Sequence, residues 1–208
     1  MSEDAPPFKA RFKQVRILLW VLVALAIVGT AALLLVRRGP GPPPETAATN
    51  AGFGGPFTLV GSDGKPFSSE RLSGKPYAIY FGFTRCGDVC PMTLSRLARL
   101  RRQAAADEAL NIVFVTIDPK NDGPKEVGQY ASLFNTPIIG LTGSSAQIDQ
   151  VKKQYGIYAE PVPHGGQGQE MQHTSTVLLF DRDGRLAGTI APDEADSSAL
   201  AKLKQITA

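Results

Sequence analysis

The chain has 208 residues, enough for one ordinary domain and an additional segment, and its hydrophobic fraction of 43% is typical of a protein with a packed core. The formal net charge is +3, but the first 16 residues hold four of the 22 basic residues and two of the 19 acidic ones, so the rest of the chain carries about +1. The sequence has no basic stripe interleaved with aromatic residues, and this argues against a nucleic-acid-binding protein.

The N-terminal segment contains an apolar run of twenty residues, 17–36, without a single charge. This is the length that a helix needs to cross the ~30 Å hydrocarbon layer of a membrane. A cleaved signal peptide has a shorter apolar region followed by a small-x-small site, which is missing here, and a buried core helix rarely lacks a polar face over this length. We therefore predict an uncleaved transmembrane anchor over residues 17–36.

The flanks of the predicted anchor differ in charge and composition. Four basic residues precede it and Arg37 and Arg38 follow it, which favours a cytoplasmic N-terminal tail over residues 1–16. Residues 37–52 are rich in proline, glycine and small residues, which predicts a solvated linker. We therefore expect a single-pass protein of the bacterial inner membrane, with a folded domain over residues 53–208 in the periplasm, where disulfides can form.

The predicted elements of this domain alternate between strands and helices. Continuous apolar runs at 75–83 and 111–118 are typical of strands buried on both faces, and leucines at 94, 97 and 100 indicate an amphipathic helix from Pro91 to about Ala106. The other predicted elements are two short strands within 56–67, helices over 124–134 and 144–156, a strand–turn–strand unit over 174–190, and a closing helix over 193–206. This order predicts an α/β, thioredoxin-like fold in which helices flank a central mixed sheet.

The only two cysteines, Cys86 and Cys90, follow the first buried strand in the segment FGFTRCGDVCPMTL. Pro91 is expected in the first turn of the next helix, so Cys90 should lie near a helix N-terminus, whose N–H groups lower the pKa of a thiol. Two converging thiolates suit Cu(I), zinc or a disulfide bond. A purely structural disulfide is disfavoured, because a bridge that closes so few residues constrains the unfolded chain little.

A metal site with two thiolates needs a third ligand, and the chain has only two histidines. His164 lies in the glycine-rich segment PVPHGGQGQ, whereas His173 directly precedes the predicted strand TSTVLLF. In a thioredoxin-like sheet, the turn before that strand passes beside the cysteine loop and normally carries a cis-proline, but no proline lies between His164 and Ala191. His173 is therefore the predicted third ligand; the alternative is a surface histidine at the end of a strand.

Four segments together carry a family resemblance: FGFTRCGDVCPMTLSRL, VTIDPKNDGP, GLTGSSAQIDQVKKQYGIY and QHTSTVLLFDRDGRL. They resemble the Sco/SenC family of membrane-anchored copper proteins, and the likeness covers the anchor and nearly all of residues 53–208. It implies a thioredoxin fold that carries copper, as Cu(I) or Cu(II), on Cys86, Cys90 and His173. It also implies a role in building the dinuclear CuA centre of cytochrome c oxidase. The implied partners are the oxidase subunit that bears this centre and an upstream periplasmic copper chaperone.

Two segments depart from the family pattern. Gln172 stands directly before the histidine, where members often have an aspartate, and Asn121 and Gly123 replace an arginine and a threonine in the segment DPKNDG. Asp118 ends a buried strand in that segment. We expect it either to support the metal site from behind its ligands or to cap a helix before Pro119.

Three functions suit the cysteine pair. The leading one is a metallochaperone that delivers copper to the CuA centre by ligand exchange and that cannot hold copper when a Cys86–Cys90 disulfide has formed. The alternative is a thiol–disulfide reductase acting on partner cysteines, with Cys86 and Cys90 as the redox-active pair. Its three-residue spacer and missing cis-proline weigh against it. A peroxidase of the peroxiredoxin type ranks last, because the run Pro-x-x-x-Thr/Ser-x-x-Cys is missing.

Met92 and Met171 are further candidate Cu(I) ligands, although methionine more often packs in a core.

Overall fold

The computed structural model describes residues 19–25, 29, 53–106, 108–162 and 171–208. The chain divides into two compact units, Met1–Asn50 and Ala51–Ala208. In the first unit the described residues are helical, and the apolar side chains of 19–25 are exposed. Among the described residues, no helix has the length and apolar character that crossing a membrane requires. The predicted tail, most of the predicted anchor, the linker and His164 lie outside the described residues.

The described part of the second unit contains nine strands and four α-helices. The strands are β1 Thr58–Gly61, β2 Pro66–Ser68, β3 Tyr77–Gly82, β4 Asn111–Thr116, β5 Ile138–Thr142, β6 Ala159–Pro161, β7 Met171–His173, β8 Val177–Phe180 and β9 Leu186–Ile190. The helices are α1 Val89–Gln103, α2 Pro124–Ser132, α3 Ser145–Gln154 and α4 Asp196–Thr207, and a 3-10 helix spans Ser69–Leu72.

Seven strands form the central sheet in the order β2-β1-β5-β4-β3-β8-β9. Strands β3, β4 and β5 are parallel, whereas β1 is antiparallel to β5 and β8 is antiparallel to β3. Every residue of β3 is buried, as expected for a strand covered on both faces. The predicted mixed sheet with flanking helices is therefore confirmed.

The carboxyl ends of β3 and β4 lie side by side, because Gly82 pairs with Thr116 in the parallel ladder. The loop that carries the cysteines follows β3, and the segment DPKNDG follows β4, so both leave the sheet at the same edge. Helix α1 buries Leu94, Leu97 and Leu100 against the sheet, which confirms the predicted apolar face. This edge is where the functional residues gather.

One feature differs from the prediction. The strand expected over 174–180 begins only at Val177, and His173 instead ends β7, which pairs with β6 in a separate two-stranded sheet. In that pairing Ala159 lies opposite His173. The hairpin is extended by two hydrogen bonds between Tyr158 and Thr174, of 3.0 and 3.1 Å. The histidine is thus held by a hairpin at the sheet edge and not by the central strand itself.

Candidate metal centre

The cysteine pair spans the loop after β3 and the first turn of α1. Helix α1 begins at Val89, so Cys90 and Pro91 are its second and third residues, and the predicted place of Pro91 in the first turn is confirmed. The loop is tightened by a hydrogen bond from the Cys86 N–H to the Phe83 carbonyl at 3.3 Å. Because the loop is short, both cysteines stay close to the end of β3.

The two thiols are free and lie in different surroundings. Cys90 is fully buried, whereas Cys86 is only partly buried. The Cys90 N–H donates to Cys86 Sγ at 3.4 Å, so the amide of the helix N-terminus faces the first cysteine and not the second. Burial raises the pKa of the Cys90 thiol to about 12. The prediction of a lowered pKa for Cys90 was therefore wrong, because desolvation outweighs the opposing effects of the Tyr80 side chain and the Phe83 backbone.

His173 lies against the buried thiol, although the two residues are 83 positions apart in the chain. Its Nε2 is 3.7 Å from Cys90 Sγ. Its Nδ1 is 3.0 Å from the Thr174 carbonyl oxygen. Since a carbonyl can only accept, this hydrogen bond assigns the proton to Nδ1 and leaves the Nε2 lone pair facing the sulfur. Burial lowers the pKa of His173 against the opposing effect of that hydrogen bond, which favours the neutral, metal-binding form of the ring.

Aromatic rings hold the imidazole in this orientation. The rings of Phe83 and Tyr80 meet it edge-on, with centroid distances of 5.9 and 6.2 Å. The site therefore has one wall of apolar rings around its histidine.

The donor set suits a soft metal ion. Cys90 Sγ and His173 Nε2 face each other, and Cys86 Sγ lies over the same helix turn. Among the described residues, no three His, Cys, Asp or Glu side chains lie close enough together to form a complete metal site. A three-coordinate site would require the Cys86 side chain to turn from the Cys90 amide toward the other two donors. Two thiolates and one imidazole fit copper or zinc by their chemistry.

Asp118 lies behind the cysteine loop. Its carboxylate accepts from Arg85 Nη2 at 2.7 Å, and Arg85 is the residue directly before Cys86. It also accepts from Asn121 Nδ2 at 2.9 and 3.0 Å. Helix α2 begins at Pro124 with Gly123 as its N-cap, so Asp118 does not cap it. Of the two roles expected for Asp118, the helix cap is therefore wrong, and its support of the metal site stays a prediction.

Asp122 is a residue that sequence reasoning missed. It is fully buried, and its carboxylate accepts from the Thr84 N–H at 2.9 Å, from the Thr84 hydroxyl at 2.6 Å and from the Thr116 hydroxyl at 2.6 Å. Thr84 lies two residues before Cys86, so Asp122 ties the cysteine loop to the end of β4. The only available signal was a second acid in DPKNDG, and its meaning depends on β3 and β4 being neighbours.

The remaining candidates lie in different settings. Met92 on α1 is 59% exposed, and Met171 in β7 is packed partly against the core. Gln172, which stands where the family often has an aspartate, is exposed and pairs with Glu160 across the hairpin. The ligand roles of both methionines stay predictions.

Comparison with known proteins identifies one family and several similar proteins. The sequence model of the SCO1/SenC family matches residues 45–208. A putative copper-binding protein of Stutzerimonas stutzeri is 37% identical over 141 residues, which cover 66% of this chain and 69% of that protein. The mitochondrial protein SCO2 of Saccharomyces cerevisiae is 31% identical over 212 residues, which cover 97% of this chain and 70% of the relative.

Solved structures agree with these relatives. The copper-bound structure of ScoI from Bradyrhizobium japonicum has a TM-score of 0.67 and 36% identity, and the match covers 74% of this chain and 99% of that one. The structure of BsSco has a TM-score of 0.57 and 26% identity, and it covers 74% of this chain and 92% of that one. BsSco is described as having a disulfide switch and as a member of the Sco family of cytochrome c oxidase assembly proteins.

Proposed function

Since this chain belongs to the SCO1/SenC family, we propose that it binds copper through Cys86, Cys90 and His173 and delivers it to the CuA centre of cytochrome c oxidase during assembly of that enzyme. The observation that carries the proposal is the approach of His173 Nε2 to within 3.7 Å of Cys90 Sγ. Nothing in local sequence brings these atoms together, and the protonated Nδ1 leaves Nε2 as the free donor. The copper-bound ScoI structure and the relative described as copper-binding support the choice of metal.

The three donors have different parts in the proposed delivery. Cys90 is buried and His173 packs against two aromatic rings, so these two form the fixed part of the site. Cys86 is partly exposed and is the donor that an incoming ligand of the oxidase subunit can replace. A site with few ligands and one accessible donor allows exchange, because a new ligand can bind before an old one leaves.

Oxidation would switch this site off. A Cys86–Cys90 disulfide removes both thiolates, so the oxidised protein would retain only the imidazole. The description of a disulfide switch in BsSco supports this expectation.

The asymmetry of the thiols also favours a second candidate function, thiol–disulfide reduction. The thiolate of the partly exposed Cys86 would attack a disulfide of the partner, and Cys90 would resolve the mixed disulfide. The partner would thus gain two thiols, and this chain would gain the Cys86–Cys90 disulfide. A periplasmic dithiol reductant would then regenerate the pair. The partner cysteines would be the ligands of the CuA centre. These cysteines must be in the thiol form before copper enters the centre.

We place the domain of residues 53–208 in the bacterial periplasm, tethered by an anchor over 17–36 and a linker over 37–52, with residues 1–16 in the cytoplasm. The uncharged apolar run and the excess of basic residues before it support this arrangement. A tether to the inner membrane would hold the domain near the membrane-bound oxidase. Copper would reach it from an upstream periplasmic chaperone.

Anaerobic Cu(I) competition titration tests the proposal on the full chain in detergent micelles. We expect one tightly held copper in the wild type. Cys86→Ala and His173→Ala should each weaken binding by more than the roughly 10- to 100-fold loss that follows removal of an outer hydrogen-bond partner. His164→Ala, which changes the other histidine, is the matched control and should bind like the wild type. Tight binding that ignores His173→Ala would remove this residue from the site. No tight copper, together with a readily cycling disulfide, would favour the reductase.

A further inference from the structure

Tyr80 carries a polar atom that the fold leaves unsatisfied. The residue lies in β3 and is fully buried, and its hydroxyl has no partner of ordinary hydrogen-bond geometry within the described part of the chain. The polar groups next to this hydroxyl are the Cys90 sulfur and the Thr93 side chain. A buried hydroxyl without a partner is unfavourable, and a phenylalanine would fill the same space without this cost. Packing alone therefore does not explain why a tyrosine stands at this position.

The side chain of Tyr80 lies next to the candidate metal centre. Its ring meets the ring of His173 edge-on at 6.2 Å. A Cβ atom at Gly82 would lie 2.9 Å from Cys90 Sγ and 3.0 Å from Tyr80 Cε1, so the sulfur and the edge of the phenol ring are less than 6 Å apart. Only a glycine leaves the space in which these two groups approach each other.

Toward a thiolate the hydroxyl can act only as a donor. A phenol keeps its proton at neutral pH, and a thiolate has no proton to give. A thiol sulfur is a weak acceptor, whereas a thiolate is negatively charged and accepts a charge-assisted hydrogen bond. The missing partner of the hydroxyl would thus be supplied when the thiol gives way to a metal-bound thiolate.

We propose that Tyr80 is a positioning residue whose hydroxyl donates a hydrogen bond to the Cys90 sulfur when that sulfur binds copper. This inference rests on the proposed copper function. The hydrogen bond would hold the sulfur at the end of β3 and withdraw electron density from it. It would therefore set both the affinity for copper and the energy of the sulfur-to-metal charge transfer.

Tyr130 provides a matched control within the same core. It lies in α2, it is buried, and its hydroxyl also lacks a regular partner among the described residues. Burial is the main cause of its raised pKa, and it forms no hydrogen bond to the sulfur of Cys90 or Cys86. Tyr130→Phe thus removes a buried hydroxyl that does not bond to either sulfur, whereas Tyr80→Phe removes the proposed donor.

The test compares the wild type, Tyr80→Phe and Tyr130→Phe as full chains in detergent micelles. Cu(I) competition titration should show an affinity about 10- to 100-fold lower for Tyr80→Phe and a change of less than about threefold for Tyr130→Phe. In the Cu(II)-loaded proteins, the sulfur-to-copper absorption band should move to lower energy only in Tyr80→Phe, because the sulfur lone pair is no longer stabilised. Urea unfolding of the metal-free proteins should show neither variant to be less stable than the wild type.

Each result supports or overturns the inference. A Tyr80→Phe protein with the affinity and spectrum of the wild type would overturn it, and so would equal effects of the two variants, which would reflect buried polarity in general. If the wild type binds copper and Tyr80→Phe matches it, only this inference fails. If the wild type binds no copper, the proposed function fails and takes this inference with it.

Discussion

Replacing Asp122 with alanine should destabilise the domain strongly, because this buried carboxylate joins two loops at the functional edge of the sheet. It accepts three hydrogen bonds, from the Thr84 N–H, the Thr84 hydroxyl and the Thr116 hydroxyl, at 2.6 to 2.9 Å. Alanine would leave the partly buried Thr84 N–H without this partner, and the two hydroxyls would have to find new ones.

The magnitude follows from counting these bonds. Each of these hydrogen bonds contributes about 1–1.5 kcal/mol net, so the loss of three predicts a fall in the free energy of unfolding of about 3–4.5 kcal/mol. That is a large share of the roughly 5–15 kcal/mol typical of a domain. Asp122→Asn keeps one acceptor oxygen, and the threonine hydroxyls can turn to accept from its amide, so about half of this loss is expected.

Urea unfolding followed by far-ultraviolet circular dichroism measures the effect, with an unchanged slope as evidence that the two-state assumption holds. Asp149→Ala is the matched control. It removes a carboxylate that is 58% exposed and paired with Lys152 at 2.8 Å, and it should cost less than about 1 kcal/mol. Amide hydrogen exchange at Thr84 should also accelerate in Asp122→Ala, because its N–H loses its acceptor.

A loss of less than about 1 kcal/mol in Asp122→Ala, equal to that of Asp149→Ala, would refute this reasoning. It would mean that water or a shifted backbone replaces the carboxylate at little cost. The cysteine loop would then be held by the Arg85–Asp118 ion pair and the start of α1 alone.

Two further predictions concern reactivity and acid stability. At pH 8, iodoacetamide should modify Cys86 at least about tenfold faster than Cys90, whose thiol is fully buried and has a pKa near 12; peptide mass spectrometry would contradict this by showing equal rates. Hydrogen bonds from Lys202 and, to a smaller extent, from Ser198 lower the pKa of Glu194 from 4.5 to about 2. This carboxylate therefore stabilises the folded state above pH 4.5, and the stabilisation is lost as the pH falls toward 2. Glu194→Gln should therefore be less stable than the wild type by about 1 kcal/mol at pH 7 and by progressively less below pH 4.5, as urea unfolding at several pH values would show.

The local patterns of the sequence predicted the elements well where burial is continuous. The apolar runs that became β3 and β4 and the leucines of α1 needed no knowledge of distant contacts. The β6–β7 hairpin was missed because each strand has only three residues and little pattern of its own. It exists through pairing across the chain, such as Ala159 with His173. Its absence from the prediction is the reason why His173 was expected in the turn before a central strand and not at the end of β7.

The residues of the candidate site also fall into those that the sequence alone could identify and those that it could not. Cys86, Cys90 and His173 could be selected because few residues of their types occur in the chain, whereas Asp122 gained its meaning only from the neighbouring places of β3 and β4. The pKa of Cys90 was predicted in the wrong direction because sequence position gives closeness to a helix N-terminus but not depth of burial. Desolvation depends on the whole packed core around the sulfur, and it outweighed the local effect.

The different depths of the two cysteines imply an order of ligand exchange under the proposed function. A partner donor approaching from solvent can reach the partly exposed Cys86, whereas Cys90 is fully buried and His173 packs against the rings of Tyr80 and Phe83. Cys86 should therefore be the first ligand to leave, and the ion would remain on Cys90 and His173 until the partner has made its first bond. This order also keeps the attacking thiol of the alternative reductase on the exposed side. Both candidate functions would thus begin at Cys86, and they would differ in whether Cys90 retains a metal ion or closes a disulfide.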